Sequence, residues 1–148
     1  FLCPSSARQK LRLTEKQEDL HCMKAMKILV ADDEPGIRDL ISEALSAHGH
    51  TVLTAENGVE AVACLAGESV DVVFLDIRMP RGDGLTALKE MRRLWPELPV
   101  VMITGGCRRD EVEQGFALGA FSCLLKPFSL NDILEVIEVF SSEAKEAA

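Results

Sequence analysis

From Lys27 onward, short apolar runs alternate with stretches whose apolar residues recur three and four positions apart. Lys27–Ala31 (KILVA) reads as a strand. Pro35–His48 follows with Ile37, Leu40, Ile41, Ala44 and Leu45 on one face, the spacing of an amphipathic helix. The same alternation predicts strands over Thr51–Ala55, Val70–Asp76, Pro99–Thr104 and Phe121–Leu125. It predicts helices over Gly58–Ala66, Gly84–Trp95, Asp110–Leu118 and Ser129–Phe140. Pro96 ends the third helix and Gly119 follows the fourth. Leu130, Ile133, Leu134 and Ile137 line the inner face of the fifth.

Strand–helix repetition of this kind predicts an α/β fold, a doubly wound five-stranded parallel sheet covered by five helices and joined by right-handed connections. Strands one, three and four are apolar almost throughout, as required where helices cover both faces. Strands two and five carry Thr51, Thr54 and Ser122 and read as edges, so the flavodoxin-like order 2-1-3-4-5 is expected. Residues 26–140 then form one domain. Residues 1–25 read as an N-terminal extension, either added in cloning or trimmed from a longer segment, with Thr14–Lys24 as a candidate short helix. Residues 141–148 read as a frayed tail.

Charge narrows the function. The net charge of −8 is uneven: residues 1–26 hold five basic and three acidic side chains, leaving −10 for the rest. An acidic body repels nucleic acid, and no apolar run reaches the length of a membrane span. The five cysteines (Cys3, Cys22, Cys64, Cys107, Cys123) are odd in number and lack CxxC spacing, which favours a reducing cytoplasm over zinc or disulfides. His48 and His50 flank Gly49, a helix-ending turn rather than a metal site.

In such a sheet, ligands gather beyond the carboxyl ends of the strands. Asp32, Asp33 and Glu34 follow strand one, Asp76 ends strand three, Thr104 ends strand four, and Lys126-Pro127 follows strand five. No glycine-rich phosphate loop follows strand one. Each residue alone has an ordinary role: Asp32 or Asp33 capping the helix that opens at Pro35, Asp76 starting a turn before Met79-Pro80 and Gly82-Asp83-Gly84, Thr104 as a loop hydroxyl, Lys126 as a surface lysine. Together they meet at one end of the sheet from separate strands. Clustered carboxylates need a cation or must take up a proton, and oxygen-only ligands suit Mg²⁺. A carboxylate nucleophile, a metal, a lysine and a hydroxyl describe a site for a phosphoryl group.

The segments ILVADDE, VVFLDIRMPRGDGL, VVMITGG and LLKPF, in this order and spacing, resemble the signature blocks of response regulator receiver domains from about Met26 to Phe140. The resemblance implies that Asp76 accepts a phosphoryl group from the phosphohistidine of a sensor histidine kinase or phosphotransfer protein. It implies Mg²⁺ held by Asp33, Asp76 and the backbone carbonyl of Arg78, with Asp32 acting through water. Lys126 would pair with the phosphoryl oxygens, preceding a cis bond to Pro127, and Thr104 would be the switch hydroxyl. Arg78 would face the mouth of the site and set how fast the aspartyl phosphate is lost to water. Phosphorylation would shift the fourth helix, fifth strand and fifth helix, the face where such domains meet partners or form homodimers. The chain departs from the family at Cys123, where a Tyr or Phe usually precedes the lysine by three residues; a small buried core cysteine is expected there, and Phe121 shares its strand parity. The chain would be a stand-alone regulator or a receiver cut from a larger protein.

Two other readings compete. A Mg²⁺-dependent phosphohydrolase with an Asp nucleophile would use the same residue types, but Asp32 and Asp33 are adjacent rather than spaced as DxD. A docking pseudo-receiver would not need the intact set Asp32, Asp33, Asp76, Thr104 and Lys126.

Overall fold

The computed structural model describes residues 25–79, 84–105 and 109–147, with backbone only from 141. The candidate helix at Thr14–Lys24, Cys3, Cys22, Cys107 and most of the turn after Met79 therefore lie outside the described residues.

Among the described residues five strands and five helices alternate: β1 (Lys27–Ala31), α1 (Pro35–Ala47), β2 (Thr51–Ala55), α2 (Gly58–Gly67), β3 (Val72–Asp76), α3 (Gly84–Leu94), β4 (Val100–Thr104), α4 (Arg109–Ala117), β5 (Ser122–Leu125) and α5 (Leu130–Ala147). The sheet is parallel throughout and its order is 2-1-3-4-5, as expected. β3 begins at Val72 rather than Val70, because Asp71 is already engaged in tying the sheet's lower end: its amide donates to Lys27 O and its carboxylate accepts from Lys27 N.

Two apolar layers sandwich the sheet. Ile28, Val30, Val72, Phe74, Val101 and Ile103 pack with Ile41 and Leu45 of α1 and Ile133 and Ile137 of α5. The alternate positions Leu29, Val73, Leu75, Val100 and Met102 pack with Ala61 and Leu65 of α2 and Ala87, Leu88 and Met91 of α3. Strand side chains point to opposite faces in turn, so a strand covered on both sides must be apolar at every position. β3 and β4 are accordingly buried from end to end, while β2 and β5, at the edges, are not.

The helix ends follow local chemistry. Pro35 opens α1, and Gly49 sits at φ +87° just past its end. There the amides of His48 and His50 both donate to Leu45 O. His50 is a buried structural link: its Nδ1 accepts from the amide of Met26 at 3.1 Å. The last helix extends past Phe140, with α5 running on through Ala147. Ala144, Lys145, Glu146 and Ala147 are strong helix formers.

Candidate functional site

The strand registers decide what meets at the upper rim. Ala31 lies beside Leu75, and Asp76 beside Ile103. Thr104 lies beside Leu125. Asp32, Asp76, Thr104 and Lys126 thus emerge at one level from four separate chain segments. The backbone ladder continues past the strand ends and holds them there: Asp32 N donates to Ala55 O at 3.1 Å, Ile77 N to Ile103 O at 3.1 Å, and Lys126 N to Thr104 O at 2.7 Å.

Asp32, Asp76 and Thr104 are buried, while Asp33 stands exposed at the mouth. One carboxylate oxygen from each of Asp32, Asp33 and Asp76 can be chosen so that all three lie within 4.8 Å of one another. Asp32 Oδ1 accepts the Glu34 amide at 2.9 Å, an Asx turn, and Asp76 Oδ1 accepts the Arg78 amide at 2.9 Å. Lys126 Nζ closes the ring, 3.1 Å from Asp32 Oδ2, 3.2 Å from Glu34 Oε1 and 3.4 Å from Asp76 Oδ2. The peptide between Lys126 and Pro127 is cis.

The electrostatics follow from this crowding. Burial pushes the Asp76 carboxyl up to about 7; the nearby Asp32 carboxylate adds to the shift, and the Arg78 amide and Lys126 oppose it. For Lys126, burial disfavours the charged ammonium, but Asp32, Asp76 and Glu34 outweigh burial and hold its pKa above the usual lysine value. Asp32 Oδ2 is buried and, despite its close ion pair with Lys126, receives no hydrogen bond of ordinary geometry. A buried carboxylate oxygen without a directed donor, beside two more carboxylates, is suited to a hard divalent cation. Asp32, Asp33 and Asp76 fit that group.

Several supporting residues carried no sequence signal of their own. Arg38, on α1, donates from Nη1 to Asp32 O at 2.6 Å and pairs with Glu56, so it braces the loop that carries the acidic pair. Gly84 opens α3 directly against the end of β3: a Cβ there would overlap Asp76 O and the Ile77 backbone. The exposed Arg78 side chain reaches Glu111 in the first turn of α4, 3.4 Å away. Glu34 was visible only as the acidic residue after the pair.

Cys123 lies half-buried on the α2–α3–α4 side of the sheet beside Met102 and Ala120, and burial raises its thiol pKa. It packs against the core but is only half-buried, where a buried core cysteine was expected. Phe121 does not extend toward it. Its ring rests on Phe140, centroids 4.6 Å apart, at the far end of β5 from the rim.

The family model described as the response regulator receiver domain matches residues 28–138. The chain belongs to the response regulator receiver domain family. This receiver is 39% identical over 111 residues to the DNA-binding transcriptional regulator NtrC of Salmonella typhimurium, covering 75% of the chain and 24% of that protein. It is 36% identical over 110 residues to the response regulator MprA of Mycobacterium ulcerans, covering 74% of the chain and 47% of that protein. The receiver thus spans about a quarter of the first relative's length and just under half of the second's. Among solved structures it resembles the receiver domain of NtrX from Brucella abortus (38% identity, TM-score 0.73, 78% of this chain and 98% of that one). It also resembles the chemotaxis protein CheY4 of Vibrio cholerae (30% identity, TM-score 0.74, 78% of this chain and 98% of that one).

Proposed function

We propose that Asp76 is the phosphoacceptor of this receiver, fed by the phosphohistidine of a sensor histidine kinase or phosphotransfer protein. The observation that carries this reading is the buried Asp76 carboxylate, held at the sheet rim between an acidic pair and the Lys126 ammonium. In the transfer, an Asp76 oxygen bonds to phosphorus as the donor's P–N bond breaks, and the electron pair returns to the imidazole, which takes up a proton. In the separate hydrolysis step, water attacks phosphorus, the aspartyl P–O bond breaks, and free carboxylate and inorganic phosphate remain. The receiver changes only itself in these steps.

The chain's own residues prepare the site. Asp76 must be ionised to attack, yet burial favours its protonated form. Asp33, Asp76 and the Arg78 carbonyl, with Asp32 through water, would hold Mg²⁺, which would supply positive charge to favour the ionised carboxylate and to offset the phosphoryl oxygens. Lys126 offers ammonium donors to those oxygens, and Thr104, at the end of β4, offers a hydroxyl. Signal output uses the α4–β5–α5 face. Phe116 of α4, Leu125 of β5 and Leu130 of α5 are large exposed apolar residues there, suited to a partner or a second copy. Direct nucleic-acid contact by this acidic domain is not part of the reading. No helix among the described residues is long and apolar enough to cross a membrane, which suits a cytoplasmic role.

The test is incubation with acetyl phosphate, with and without Mg²⁺. Wild type should gain the mass of one phosphoryl group only with Mg²⁺, and Asp76→Asn should gain none. A gain that survives in Asp76→Asn would overturn the assignment.

A further inference from the structure

Lys126 Nζ has three carboxylate neighbours: Asp32 Oδ2, Glu34 Oε1 and Asp76 Oδ2, at 3.1, 3.2 and 3.4 Å. The ammonium directs hydrogen bonds at Glu34 Oε1 and Asp76 Oδ2 and is also drawn to Asp32 Oδ2 by a close ion pair, so three carboxylates crowd its three N–H donors. A phosphoryl oxygen arriving on Asp76 must compete with these three carboxylates for the ammonium. Two of them cannot leave easily: the Asp32 side chain is fully buried and Asp76 nearly so. Moving either out of place would strand a carboxylate in the protein interior. The Glu34 side chain is 61% exposed and can swing into water.

The backbone around Glu34 directs it to this place. Its amide is held by Asp32 Oδ1, and its φ of −89° and ψ of 114° place it at the N-cap of α1, ahead of Pro35. N-cap side chains usually turn back onto their own helix, but Glu34 makes no capping bond. It reaches instead to a lysine 92 residues away. The Lys126 stem passes close to Gly105, where an added Cβ would lie 3.3 Å from its Cδ.

We propose that Glu34 is a positioning residue that holds the Lys126 ammonium in the resting state and must release it when the phosphoryl group arrives, so that it acts as a brake on phosphorylation. This rests on the reading of Asp76 as phosphoacceptor. Aspartate at this position keeps the charge but is one methylene shorter and is a strong N-cap, so it turns onto α1 and lets Lys126 go.

Calorimetric titration of beryllofluoride, a phosphoryl mimic, onto the whole chain at saturating Mg²⁺ tests the idea. Glu34→Asp and Glu34→Gln should both bind it about two- to fivefold tighter than wild type at low salt, the range set by a partly exposed ion pair. The difference should fade at about 0.5 M salt. In a separate titration with Mg²⁺ alone, Glu34→Asp should match wild type while Glu34→Gln binds more weakly. Wild-type beryllofluoride affinity in Glu34→Asp, or weaker binding in both variants, would overturn the brake. Equal binding by wild type and Asp76→Asn, or none by wild type, would overturn the phosphoacceptor reading and the brake with it.

Discussion

Lys126 Nζ stands 3.4 Å from Asp76 Oδ2, joining two residues fifty positions apart at the ends of β3 and β5. Among the described residues it is the one cation placed among Asp32, Glu34 and Asp76. Lys126→Ala should therefore weaken the site twice over. Mg²⁺-dependent phosphorylation from acetyl phosphate should fall at least about tenfold, the loss expected when a positioned charge at the transition state is removed. The uncompensated carboxylates should also lower stability by on the order of 1–3 kcal/mol in Mg²⁺-free buffer, part of it recovered on adding Mg²⁺. Phosphorylation rates and urea titrations with and without the metal check both effects.

Asp76 gives stability an unusual pH slope. In the native protein it keeps its proton to about pH 7, against an ordinary value of 3.8. Between these values the native state binds more protons than the unfolded chain, so this residue makes stability fall as pH rises from about 4 to about 7, and the full penalty stands above 7. Asp76→Asn should then be more stable than wild type at pH 8 without Mg²⁺, by on the order of 1–3 kcal/mol, and nearly equal below pH 4. His50, whose pKa burial lowers, contributes the opposite slope in both proteins, so the difference between them is the quantity to measure. A wild-type advantage at pH 8 would contradict the account.

Gly84 and Gly115 both lack room for a side chain, but against different neighbours. A Cβ on Gly84 would strike backbone of Asp76 and Ile77, whereas one on Gly115 would strike the Met102 thioether. Backbone at the sheet rim cannot retract, while Met is unbranched and adapts. Gly84→Ala should lower stability by about 3 kcal/mol or more and impair Mg²⁺ binding; Gly115→Ala should cost about 1–2 kcal/mol and leave Mg²⁺ affinity unchanged. Thermal unfolding and metal titration of the two variants decide it.

Arg78 lies two residues past Asp76, its amide on Asp76 Oδ1 and its side chain drawn toward Glu111 on α4. Truncating it opens the path of water to the aspartyl phosphate. Arg78→Ala should shorten the phosphoprotein's lifetime in Mg²⁺ about threefold or more, about 0.7 kcal/mol in the barrier. Glu111→Gln, which frees the guanidinium to turn toward the phosphoryl group, should lengthen it. The decay of intact phosphoprotein mass over time measures both, and an unchanged rate in Arg78→Ala would remove Arg78 from the mechanism.

Much of the protein was legible in the chain itself. Helical and strand periodicity marked every element, because a two-sided apolar strand and a one-sided amphipathic helix cannot share a pattern. Thr51, Thr54 and Ser122 marked the edge strands, and from the order of elements the rim residues Asp32, Asp33, Asp76, Thr104 and Lys126 could be placed before any coordinates. The last helix was underestimated: Ser141–Ala147 has no apolar stripe, and only its helix-forming composition signalled that α5 would continue.

What only the tertiary structure decided is how these groups share charge. Sequence shows that carboxylates and a lysine gather at one rim. It does not show that one ammonium serves Asp32, Glu34 and Asp76 together, that Asp32 Oδ2 is left without a directed donor, or that Arg38 braces the acidic loop through a backbone carbonyl. Nor does it show that Phe121 leans on Phe140 at the opposite end of β5 rather than toward the half-buried Cys123. Local patterns report which face of an element is buried, because burial repeats with the backbone's own period. Contacts between side chains 50 or 92 residues apart depend on register, reach and competition for one proton donor, and these exist only once the sheet has closed.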